Sequence, residues 1–126
     1  MIPKFRAWDK TYKKMYEVDE IHWNCGEFDF IGDAITFKRG ADEVELMQST
    51  GLHDKNGKEI FEKDILDYNG RKAIVKWHGS YASFIYEFVD ELQNRTTEWQ
   101  PLYLSYYHFE IIGNVYENPE LLEVTE

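Results

Sequence analysis

The sequence predicts a small, mostly β protein: a partly open SH3-like barrel, or a meander of short antiparallel strands, finished by a short C-terminal helix. Three observations lead there. Aromatic residues make up 17% of the chain, and rings favour pleated, half-buried surfaces. Short stretches that alternate apolar and polar residues recur between turn signals. Asn-Gly, a strong hairpin signal because both residues tolerate positive φ, occurs at Asn56-Gly57 and at Asn69-Gly70.

The elements follow in order. Phe5-Arg6-Ala7-Trp8 and Met15-Tyr16-Glu17-Val18 alternate on either side of a polar stretch, Asp9 to Lys14, and read as a hairpin. Glu27 to Ile31, Ala34 to Lys38 and Glu43 to Gln48 are short strand candidates, with loops expected at Gly32-Asp33 and at residues 38–42. A turn is expected around Asn56-Gly57. Asp64 to Tyr68 and Arg71 to Trp77 flank Asn69-Gly70 and form the best hairpin signal in the chain. Ala82 to Val89 is a further strand after a break at Gly79. Residues 90–98 are polar and read as a loop or a frayed helix. Trp99 to Tyr107 stays open: with Phe109 its spacing also fits one face of a helix. Phe109 to Tyr116 reads as strand. Asn118-Pro119-Glu120 is a helix start, with Asn as cap, Pro at the first position and Glu at the positive dipole end.

With 126 residues, of which 43% are hydrophobic, the chain is expected to form one domain over 1–126 around a single core. No apolar run approaches the ~20 residues of a membrane span. The opening Met-Ile-Pro-Lys-Phe-Arg lacks an apolar stretch behind its basic residues, so it does not read as a signal peptide. The one cysteine, Cys25, excludes an internal disulfide framework and reads as a small buried hydrophobe. Together these features predict a cytoplasmic protein.

The formal net charge is −10, unevenly spread. Residues 1–16 hold Lys4, Arg6, Lys10, Lys13 and Lys14 against Asp9, a net of +4, which leaves −14 for residues 17–126. An acidic surface repels phosphate backbones and disfavours general nucleic-acid binding. The five basic residues are a candidate local patch whose simpler reading is a solvated hairpin.

Three ordered blocks stand out. The first is Lys4-Phe5-Arg6-Ala7-Trp8-Asp9 with Lys14-Met15-Tyr16. The second is Leu46-Met47-Gln48-Ser49-Thr50-Gly51-Leu52-His53-Asp54-Lys55-Asn56-Gly57-Lys58-Glu59-Ile60, followed by Phe61-Glu62-Lys63-Asp64-Ile65. The third is Ile112-Gly113-Asn114-Val115-Tyr116-Glu117-Asn118-Pro119-Glu120-Leu121-Leu122. In that order they resemble the opening, the central signature and the ending of the YopX family of phage- and prophage-encoded proteins. One departure stands out: the family pattern usually has glycine where this chain has Lys63. If that position takes positive φ, lysine costs roughly 1 kcal/mol. The resemblance implies a mainly β domain in a phage-infected or lysogenic host cell, and it carries over no catalytic residue.

No constellation compels a reaction. Glu62, Asp64 and Asp67 crowd near a strand start, where Glu62 and Asp64 would share a face and could share a metal or a proton. A charged strand edge is the simpler reading. Asp54-Lys55-Asn56-Gly57 fails as a calcium loop, because glycine falls at the fourth position and Ile65 at the twelfth. His22, His53, His78 and His108 lack zinc spacing. No catalytic residue, metal or cofactor is assigned. The aromatic series Trp99, Tyr103, Tyr106, Tyr107 is a candidate interaction surface, against the simpler reading of core packing.

Three functional readings follow. The leading one is a non-enzymatic protein-interaction module, acting on an unknown protein partner or on itself as a homo-oligomer. The second is nucleic-acid binding through an SH3-like barrel and the basic patch. The third is a small metal-dependent hydrolase using Glu62, Asp64 and a histidine.

Overall fold

A computed structural model describes residues 4–90 and 99–123. Among the described residues are twelve strands and three 3₁₀ turns, and the strand pairings between them are antiparallel. The described residues group into two compact units, Met1–Gln48 and Ser49–Glu126.

The first unit opens with the expected hairpin. β1 (Phe5–Asp9) pairs with β2 (Lys14–Val18) in the register Asp9↔Lys14 to Phe5↔Val18. β3 (Ile21–Asn24) and β4 (Glu27–Ile31) form a second hairpin, and β4 also pairs with β5 (Arg39–Gly40). Sequence patterning had not singled out β3. Its turn is Cys25-Gly26, both at positive φ, which places Cys25 in solvent rather than in the core expected for it. The other side of β1 pairs with the start of β6 (Val44–His53). Ala7, Ile31 and Val44 are buried together, with Val18, Ile21 and Phe37 packed against them.

The strand expected at Ala34 to Lys38 does not form. Asp33 takes the amides of that stretch instead: its carboxylate accepts hydrogen bonds from the backbone of Ile35, Thr36 and Phe37 and from the Thr36 hydroxyl. Amides bound to a side chain cannot join a sheet ladder. Arg39-Gly40, expected within a loop, pairs as β5 for the converse reason: its neighbour Phe30–Ile31 offers a free edge.

The second unit contains the rest of β6, β7 (Glu59–Phe61) beside it, and a five-stranded sheet. That sheet runs in the order β11-β10-β9-β8-β12. β8 (Asp64–Tyr68), β9 (Arg71–His78) and β10 (Ser83–Phe88) are the consecutive meander read from the sequence. The Asn69-Gly70 turn has φ of +50° and +88°, the left-handed pair that suits the twist of a tight hairpin. β11 (Gln100–Pro101) lies at one edge and β12 (Glu110–Asn114) at the other. Leu66, Val75, Leu102 and Phe109 are among the core residues here.

After Trp99 the open segment runs through the two residues of β11 and then resolves as two successive 3₁₀ turns, η1 (Leu102–Leu104) and η2 (Tyr106–His108), rather than as one strand or a continuous helix. Leu102 and Phe109 bracket them as buried anchors. The C-terminal helix is a single 3₁₀ turn, η3 (Pro119–Leu122). Asn118 stands at its cap position but makes no capping hydrogen bond. Its side-chain oxygen accepts from the Asn114 amide instead, at 3.2 Å. A Cβ at position 113 would meet the Asn118 side chain, so any residue but glycine there would have to displace it. Most of the polar stretch 90–98 lies outside the described residues. No helix among the described residues is long and apolar enough to cross a membrane.

Candidate functional site

The central block, residues 46–65, is the longest motif in the chain, and the side chains of Ser49, Thr50, Asp54 and Asp64 within it bond backbone. The Thr50 hydroxyl donates to the Ile60 carbonyl at 2.8 Å and accepts from the Leu52 amide at 3.0 Å. Ser49 Oγ accepts from the amide of Gly51, which sits at φ +77°. Asp54 is 6% exposed. One of its oxygens accepts from the amides of Asn56 and Lys58, both at 2.9 Å, and the other from the amide of Ile111, 57 residues away, at 2.9 Å. Burial opposes the charge of Asp54, but these three amides and the nearby Lys58 outweigh it and hold the carboxyl below the usual aspartate range. The turn thereby clasps β12, and Lys55 adds an amide bond to the Phe109 carbonyl.

Lys63 has φ +69°. The position does require the left-handed region. Its amide donates to the Val75 carbonyl and its own carbonyl accepts from the Val115 amide, at 2.9 and 3.0 Å. Those two bonds hold the lysine in a backbone conformation that would suit glycine better. The same bend separates the acidic trio. Glu62 lies in the turn, so it does not share a strand face with Asp64. The Asp64 carboxylate is buried and accepts from the Phe61 amide at 2.8 Å. Asp67 stands opposite Lys72 in the β8–β9 register.

The histidines sit at separate points. His22 stacks on Phe30 and approaches the Gly32 carbonyl at 3.1 Å. His53 ends β6 opposite Glu59. His78 packs against Tyr81 and Trp99. His108 packs against Tyr107 and Tyr68. Among the described residues no three His, Cys, Asp or Glu side chains are disposed to hold a metal ion.

The aromatic series does not form one face. Trp99 closes a trio with His78 and Tyr81, each pair of ring centroids 4.8 or 4.9 Å apart. Tyr106 leans on the core of the second unit. Tyr103 and Tyr107 point outward at 58% and 55% exposure, and Leu104 is equally bare. Leu104 carried no sequence signal, because only its turn geometry turns it outward.

The basic residues of the first hairpin lie among carboxylates. Lys10 pairs with Glu45 at 3.3 Å, Lys14 stands opposite Asp9, and Arg6 stands opposite Glu17. Lys4 and Lys13 are exposed, Lys13 in the turn at φ +56°.

The first unit has its own buried carboxylate, which sequence reading treated only as part of a loop. Asp9 is fully buried. It accepts from the amides of Thr11 and Tyr12 and from Arg39 Nε at 2.8 Å. Desolvation opposes its charge, yet the Tyr12 amide, Arg39 and the Thr11 amide together hold the carboxyl below its ordinary range. The Arg39 guanidinium in turn lies over the rings of Phe37 and Tyr12. Asp-Lys-Thr after an apolar strand is the turn signature that could have marked Asp9. Nothing local marked Arg39, thirty residues on.

Comparison with known proteins agrees with the whole length of the chain. The profile of the family described as YopX protein matches residues 4–123. Among solved structures, the crystal structure of protein EF1440 from Enterococcus faecalis is similar, with 32% identity and a TM-score of 0.62 over 98% of this chain and 99% of that one. No curated protein matches.

Proposed function

This chain belongs to the YopX family, and we propose that it is a non-enzymatic protein-interaction module of a phage or prophage, acting in the host cytoplasm and associating with further copies of itself. One observation carries the reading: Tyr103, Leu104 and Tyr107 are each more than half exposed on two consecutive 3₁₀ turns. Neighbouring large apolar side chains turned outward mark a contact surface, since exposing them gains nothing within the monomer. Two residues of the family signature support the same reading, because the Asp54 carboxylate and the Lys63 backbone are consumed in tying their turns to neighbouring strands. Size-exclusion chromatography with light scattering tests it. The wild-type chain is expected to exceed the monomer mass at high micromolar concentration, and a Tyr103→Ser/Tyr107→Ser double variant to run as a folded monomer. A wild-type monomer throughout that range would remove the self-association.

Nucleic-acid binding remains the alternative for the hairpin bearing Lys4, Arg6, Lys10, Lys13 and Lys14. The carboxylates beside Lys10, Lys14 and Arg6 weaken it. Titration with single-stranded and duplex oligonucleotides at low salt, where the electrostatic term is largest, decides it.

A further inference from the structure

A groove in the first unit borders the free edge of a strand. It encloses about 580 Å³ and is lined by residues of β2, the turn at Asp19-Glu20, and the stretch from Ile31 to Phe37. Buried Ile31 lies within it, Met15, Tyr16, Val18 and Phe37 supply apolar walls, and Tyr16 and Phe37 meet edge to face at 4.9 Å. Four of its lining residues are carboxylates, Glu17, Asp19, Glu20 and Asp33, and none is lysine or arginine. β2 ends the order of its sheet, with β1 on one side and no strand among the described residues on the other. Its five residues offer a span of about 17 Å for pairing.

Edge strands of this length are usually blunted by charge or by a bulge. Here the charge is present, but it is all negative at the groove, and the edge pairs with β1 in unbroken register. Side chains alternate across the edge. Tyr16 and Val18 lie on the face that packs with Ala7 and Phe37, and Glu17 lies on the opposite face. An incoming strand would alternate in the same way. Its apolar side chains would enter the groove beside Tyr16, Val18 and Phe37. Its intervening side chains would lie beside Glu17, which has Arg6 as its cross-strand neighbour on β1 and, being exposed, leaves room for a second cation on the open side.

We propose that the β2 edge and its groove bind an extended basic segment of a partner protein, one alternating apolar and Lys/Arg residues, by strand addition. Main-chain hydrogen bonds to β2 would supply the affinity and the groove's carboxylates the selectivity. Ile35, at the groove's loop and 91% exposed, is placed to contact the same segment. This surface is built from residues of the first unit and the exposed tyrosines belong to the second, so either proposal can fail alone.

The test uses the full chain and a fluorescein-labelled peptide of alternating lysine and valine, about ten residues long. Fluorescence anisotropy at low salt should show saturable binding. A glutamate–valine peptide should not bind, and a lysine–valine peptide with alternate backbone amides methylated should bind at least tenfold more weakly, since it cannot pair. Glu17→Lys with Asp19→Lys should weaken binding at least tenfold, while Glu120→Lys, outside the groove, leaves it within twofold. If the double variant loses its native circular dichroism spectrum, Asp19→Asn alone should still weaken binding about threefold. Failure of the lysine–valine peptide to bind overturns the proposal. So does equal affinity of the methylated and unmethylated peptides, which would mean charge attraction alone. A rise in mass of the unliganded chain that Glu17→Lys abolishes would assign the edge to a second copy and also overturn it.

Discussion

Asp9 in the first unit and Asp54 in the second each convert a strand end into a turn by accepting amides two and three or four residues ahead. They differ in what else they hold. Asp9 pairs with a cation, Arg39, drawn from a strand thirty residues later. Asp54 takes a third amide, from Ile111 at the start of β12. One unit is pinned by a charge pair and the other by backbone alone. A buried charge pair is sensitive to loss of either partner. A carboxylate held by amides depends only on its own ionisation and on the neighbouring strand being present.

The sharpest way to break that comparison is to delete each carboxylate. Asp9→Ala leaves the half-buried Arg39 without its counter-charge and orphans the Thr11 and Tyr12 amides, and should cost about 4 kcal/mol in urea denaturation. Asp54→Ala orphans three amides and should cost about 3 kcal/mol. If residues 1–126 fold as one domain, as we propose, both variants shift a single transition. Two transitions, each moved by one variant, would show that the units unfold separately.

Acid titration sharpens the comparison further. Both carboxyls lie below their unfolded value in the folded chain. Their contribution is therefore complete above the unfolded aspartate pKa of about 3.9 and is lost as pH falls through the depressed folded values. Wild-type stability should decline below about pH 4. Asp54→Asn, already uncharged, should show a shallower decline over the same range, which chemical denaturation at stepped pH will read out. A smaller effect is expected at Lys63. Lys63→Gly removes the cost of the left-handed backbone and should raise stability by about 1 kcal/mol. Smallest of all, Lys10→Ala breaks only the exposed pair with Glu45 and should change stability by less than about 0.5 kcal/mol.

How much of this was legible differs from residue to residue. The β8–β9 hairpin was readable because Asn69-Gly70 can take the required dihedrals and its flanks alternate with period two. The first hairpin was readable for the second reason. The strand expected at Ala34 to Lys38 was wrong because alternation competes with side-chain capping, and Asp33 won those amides. Cys25 was misplaced because a composition rule for cysteine ignores turn position. Of the candidate interaction surface, Tyr103 and Tyr107 proved exposed, while Tyr106 leans on the core and Trp99 joins His78 and Tyr81.

Local pattern dictated that this chain is built of short antiparallel strands, where its tightest turns fall, and which family it belongs to. Those properties depend on dihedral preference and on the apolar period, which neighbours in sequence already contain. The pairing of Asp9 with Arg39, the clasp of Asp54 on Ile111, the outward set of Leu104 and the acidic groove beside β2 were decided only by the folded chain. Each depends on groups far apart in sequence meeting at hydrogen-bonding or packing distance, and no local preference encodes that meeting.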